Sequence, residues 1–140
     1  MSTRFRWVCI LGFTIAGCGG PAGPKASSQE NEQALLAEVG QLYQLYTAAQ
    51  NKPPEKTADF TSSQAAFPQG YEAIRSGQII VHYGAKMTDL EEGPPKGESN
   101  EILAYEKQVP ESGGQVLMLN RKVKTMTSEE FKAAKKAGKG

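Results

Sequence analysis

The sequence predicts an α+β fold, with one long N-terminal helix packed on a small antiparallel sheet of three to four strands and short helices beside it. Three observations predict it. Apolar residues between Leu35 and Tyr46 recur with the helical period. Short runs rich in β-branched and aromatic residues follow in the second half, and their connections are short enough for hairpins, whereas parallel crossovers need a dozen or more residues. The chain of 140 residues, 39% hydrophobic and 22% charged, has room for one modest core and contains no internal repeat.

The long helix is opened by Ser27-Ser28-Gln29-Glu30, which matches a capping box. Its apolar face is Leu35, Val39, Leu42, Tyr43 and Tyr46, widened by Leu36 and Leu45. Pro53-Pro54 cannot continue a helix, so it ends near Gln50. After a polar stretch, Glu55 to Ser63, a short helix is expected over 67–77, with Pro68 in its first turn and Gly77 past its end. Strands are expected at 78–83 (QIIVHY), 101–107 (EILAYEK), 115–120 (QVLMLN) and 123–126 (VKTM). A polar loop spans 88–100, VPESGG reads as a hairpin loop, and Asn120-Arg121-Lys122 as a turn. Thr127-Ser128-Glu129-Glu130 offers a second capping box, opening a short Ala/Lys helix that frays into a tail at 138–140. The single α+β domain therefore spans 31–137.

The first residues have a different character. Arg4 and Arg6 precede a short apolar run, Trp7 to Ile15, which ends in Ala16, Gly17 and Cys18. This is the order of a secretory signal peptide, and the run is about half the roughly 20 residues a spanning helix needs. Ile15-Ala16-Gly17-Cys18 resembles the lipobox of bacterial lipoprotein signals, an aliphatic residue and two small ones before an invariant cysteine. The resemblance implies that residues 1–17 are removed and that Cys18 is the lipidation site, carrying acyl chains such as palmitate. Two or three chains anchor a protein durably, whereas one does so only marginally.

Cleavage there would remove Cys9 and leave one cysteine, so no intramolecular disulfide is expected despite the oxidising compartment. Loss of Arg4 and Arg6 leaves 14 basic residues against 15 acidic, moving the formal net charge from +1 to −1, which selects no partner by charge. Residues 18–30, rich in Gly, Pro and Ser, read as a flexible tether. Gly19 is not the aspartate of the best-known inner-membrane retention rule, which by analogy favours an outer-membrane address.

The order of elements, together with AYEKQVPESGGQVLMLNRKV (104–123) and QLYQLYTAAQNKPPEKTADF (41–60), resembles the soluble region of pseudopilin-like proteins of planctomycete bacteria. Those proteins often write a hairpin as His-x9-Asp-Gly. The histidine falls here on Pro110, the aspartate on Asn120 and the glycine on Arg121, so all three signature residues are absent. The resemblance implies a pilin-like soluble fold and does not imply a fibre subunit.

Chemistry is thinly represented. His82 is the only histidine, no Gly-x-Ser-x-Gly elbow is present, and no catalytic residue is assigned. One histidine cannot complete a structural zinc site, and the spacing of Asp89, Glu91, Glu92 and Glu98 is not that of a calcium loop, so a solvated acidic loop is expected with no metal and no cofactor. Gly113-Gly114 belongs to no phosphate-binding pattern. Arg121, Lys122, Lys124, Lys132, Lys135, Lys136 and Lys139 outweigh Glu129 and Glu130 near the C-terminus, which reads as a solvated basic face. Contact with anionic lipid or wall polymer is the sharper alternative, and nucleic acid is not expected as a partner of an exported protein.

The expectation is therefore a lipid-anchored cell-envelope protein, facing periplasm or exterior, that acts as a binding or assembly module for an envelope-protein or cell-wall partner. The alternative is a small envelope hydrolase or carbohydrate-processing enzyme using paired carboxylates.

Overall fold

A computed structural model describes residues 24–87 and 89–138. The expected cleavage site and Cys18 lie outside them. The fold is α+β, as expected: helix α1 (Pro24–Gln50), a 3-10 segment (Thr57–Ser63), α2 (Pro68–Arg75), β1 (Ile79–Val81), β2 (Glu101–Glu106), α3 (Val109–Ser112), β3 (Gly114–Met118), β4 (Val123–Met126), α4 (Ser128–Ala133) and β5 (Lys135–Lys136). Strands β1 to β4 form an antiparallel path in chain order, with β5 added parallel to β2.

The predicted apolar stripe does bury α1 against the sheet. Leu36, Val39, Leu42 and Tyr43 are completely covered, while Leu45 is 42% exposed and falls outside the stripe. Helix α2 joins on the same side, and its approach is close because Gly70 has no side chain: a Cβ there would lie 2.7 Å from the Cβ of Glu38. The Glu38 carboxylate in turn accepts the Gly70 N–H at 2.7 Å, satisfying a donor in the first turns of α2.

Strand β2 serves two cores because its register shifts between Ile102 and Ala104. The extra residue turns Leu103 and Ala104 both toward α1, while Ile102 faces the other way. There Ile102, Val109, Val116, Met118 and Phe131 make a second, smaller core under α3 and α4. The sheet is thus covered on both faces, by α1 and α2 on one and by α3 and α4 on the other.

Several local expectations are corrected or filled in. Helix α1 reaches back to Pro24, so residues 24–30 are helical rather than tether, and Ser27-Ser28 lie within the helix. The reason is that serine caps a helix by preference only, nothing between Lys25 and Ala34 breaks one, and proline is at home in a first turn. Within the polar stretch, Thr57–Ser63 forms the 3-10 segment, its start held by the Asp59 carboxylate on the N–H groups of Glu55 and Lys56. It delivers Phe60, fully buried, among Tyr43, Tyr46 and Tyr83 at centroid distances of 6.1, 6.3 and 6.2 Å.

The loop VPESGG contains helix α3, whose Pro110 sits in the first turn. The last helix stops at Ala133 and the chain forms β5. That strand has a physical cause: β1 pairs with β2 only over 104–106, which leaves the edge at Glu101 and Ile102 open, and Lys135 and Lys136 close it. Nor is Gly138 frayed. It has φ +69, and a Cβ would lie 2.2 Å from the Tyr83 carbonyl, so the chain is docked as far as the described residues run.

Candidate functional site

Three polar constellations remain when the cores are set aside. The first is built on the β3–β4 hairpin, where the Arg121 N–H bonds the Met118 carbonyl and the Met118 N–H bonds that of Lys122. This three-residue loop places Arg121 at φ +67, a position usually given to glycine. The side chain explains the choice. Buried to 4% exposure, its guanidinium donates to Gln44 Oε1 at 3.0 Å, Asp89 Oδ2 at 2.9 Å and the Glu91 carbonyl at 2.9 Å. Gln44 also donates to the carbonyls of Leu90 and Glu91, so hairpin, α1 and the 85–100 loop meet at one point.

Burial opposes ionisation of Asp89, but the Lys96 N–H bond and the Arg121 guanidinium outweigh it and hold the carboxyl below its ordinary value. Asp89 and Arg121 were expected in solvated groups and are both buried. Of the remaining acids of the loop, Glu91 is met by Lys96 and Glu98 by Lys122 and Lys124. These outer pairs are exposed and contribute little. Among the described residues no group of three His, Cys, Asp or Glu side chains is placed to hold a metal ion.

The basic C-terminal face is dispersed. Arg121 is internal, Lys122 and Lys124 face Glu98, and Lys135 pairs with Glu101. Lys136 lies over the Phe131 ring, 4.0 Å from its centroid, and donates to the carbonyls of Phe131 and Ala134. Lys139 lies outside the described residues.

The second constellation surrounds His82. Its ring packs on Tyr105 at 5.6 Å, and Tyr105 on Phe131 at 4.6 Å, across the smaller core. Nε2 is buried without a hydrogen-bond partner, and burial, with Lys136 nearby, pushes the imidazole below its ordinary value. With no hydroxyl or thiol bonded to Nε2, this ring is placed as a packing residue.

The third lies at the Glu106 end of β2, away from the Arg121 hairpin, and was not legible as a site. A cleft of about 490 Å³ is lined by Gln29 of α1, Ser112 to Gly114, and Thr125 to Glu130. Beneath Gly114 lies Glu106, 2% exposed, its Oε2 3.5 Å from the Gln115 N–H. Burial raises the Glu106 carboxyl above its ordinary value, and Glu32 on α1 adds like-charge repulsion. This is the carboxylate pair nearest to the hydrolase alternative, but so deeply buried a carboxyl cannot touch a sugar. In sequence, Glu106 reads as an ordinary alternation of β2 with Tyr105 and Lys107, and the bulge at Leu103 moves it from the face of Ile102 to the face of α1.

No helix among the described residues is long and apolar enough to cross a membrane. No family model, curated protein or solved structure matches this chain.

Proposed function

We propose that this protein is a lipid-anchored component of the bacterial cell envelope, held through Cys18 and acting as a binding or assembly module. The observation that carries the reading is Ile15-Ala16-Gly17-Cys18 standing behind Arg4, Arg6 and a short apolar run. Helix α1 supports it in a second way. At 27 residues it is about 40 Å long, and the stripe that packs on the main core begins at Leu35, so its early turns run from that core past the Gln29–Gln115 contact toward the anchor. The pilin-like resemblance gains one point of geometry: Arg121 adopts the left-handed conformation at the place where the resembled pattern writes glycine.

The test is the intact mass of the protein extracted from its own membranes, with Cys18→Ser as control. Cleavage before Cys18 plus acyl chains is expected, with the serine form released to the soluble fraction. An unmodified cysteine overturns the reading. Crosslinking of the anchored form then identifies the partner, and recovery of secretion or pilus components only with that form would specify an assembly role.

A further inference from the structure

Beneath the cleft floor at Gly113 and Gly114, the Glu106 carboxyl meets only neutral donors among the described residues, the Gln115 N–H and the Gln108 side chain. Gln115 is the cross-strand neighbour of Glu106, one step beyond the Tyr105–Val116 pair, and both face α1. Gln115 is 8% exposed, and its Nε2 donates to the Gln29 carbonyl at 3.1 Å, which ties β3 directly to the early turns of α1. Its Oε1 is buried and has no donor. Around Glu106 stand Glu32 from α1, Gln108 at the start of α3, Gln115 from β3 and Ile79 from β1, so among the described residues the charged group facing it is another carboxylate. An ionised Glu106 would be a buried charge without a counterion beside an unsatisfied amide oxygen.

One proton resolves both. We infer that Glu106 and Gln115 form a proton-set latch on α1, in which neutral Glu106 donates its O–H to Gln115 Oε1 and so keeps Nε2 turned to the Gln29 carbonyl. When Glu106 loses that proton to water in the cleft, the carboxylate is served best by the amide turned over, with Nε2 toward it. Turning over sets Oε1 against the Gln29 carbonyl, acceptor against acceptor, and Glu32 now faces a second negative charge. The early turns of α1 are released. The buried carboxyl's upward shift agrees with this arrangement, which stands whether or not Cys18 carries lipid.

Hydrogen exchange of backbone amides over residues 28–35, corrected for intrinsic rates, tests the latch between pH of about 4 and about 8. Protection in the wild type should fall by roughly tenfold or more as pH rises, while amides of β2 and β3 hold. Glu106→Gln keeps a donor toward Gln115 at every pH, so its protection should stay high and flat. Gln115→Met should be poorly protected at both ends. If Glu106→Gln does not fold, Glu32→Gln serves instead, moving the transition to lower pH by removing the like charge. A wild type with flat protection, or a Glu106→Gln form that keeps the pH response, overturns the latch. So does restoration of protection at pH 8 by millimolar calcium or magnesium, which would make the cluster a cation site.

Discussion

Arg121 carries the most consequence of any single side chain. A non-glycine residue in the left-handed region costs free energy, and a buried guanidinium costs more unless it is paired. Both costs are offset only by the bonds to Gln44, Asp89 and the Glu91 carbonyl. Arg121→Met should therefore destabilise by about 3–5 kcal/mol in urea unfolding, because it strands a buried Asp89 charge. The double variant with Asp89→Asn should recover part of that loss, and simple additivity of the two would show that no pair exists. Tyr43 makes a comparable link with neutral groups. Its hydroxyl donates to the Ala85 carbonyl and accepts the Ala85 N–H, each at 2.9 Å, and burial pushes the phenol up to about 12. Tyr43→Phe leaves two buried backbone groups unpaired and should cost about 1–3 kcal/mol with little change in packing.

The contact of α1 with α2 depends on a missing side chain. Gly70→Ala places a carbon 2.7 Å from Glu38 Cβ and 3.1 Å from the Val39 nitrogen, so the helices must separate and the Glu38 bond to the Gly70 N–H must lengthen. A loss of about 1–3 kcal/mol is expected by denaturant titration, and an unchanged midpoint would mean that α2 is not held this closely. Helix α1, β2 and β4 were legible because their signals are periodic and local: the Leu35-to-Tyr43 stripe, the proline stop, and runs of β-branched residues. What escaped has a non-local cause. Phe60 is drawn inward by three tyrosines from distant segments, and Lys135-Lys136 becomes a strand because β1 leaves part of β2 uncovered. The place of Glu106 on the α1 face follows from a bulge that no residue type announces, and Arg121 reads as one more surface cation until the loop it binds is in place. A candidate site made of such residues is invisible to spacing rules.

For the molecule as a whole, two buried carboxyls and the half-buried His82 bear on how stability depends on pH, and their signs differ. Asp89 titrates below its ordinary value of 3.8, so its contribution is present above 3.8 and is lost as pH falls through the native value. Glu106 titrates above its ordinary value of 4.5, so its contribution is complete below 4.5 and is lost as pH rises through the native value. His82 titrates below its ordinary value of 6.5, so its contribution is present above 6.5 and declines as pH falls. Between 4.5 and 6.5, Glu106 and His82 therefore pull in opposite directions on thermal unfolding. Removing one group exposes the other: Glu106→Gln should grow more stable with rising pH across this interval, and His82→Gln should grow less stable. The slopes are the informative quantity, since His82→Gln also loses a ring contact with Tyr105 that lowers the whole curve. Parallel slopes in the two variants would show that these groups do not control the balance. Opposite slopes would mean that Glu106, at the end of β2, and His82, packed on Tyr105 of the same strand, set the acid response of the protein between them.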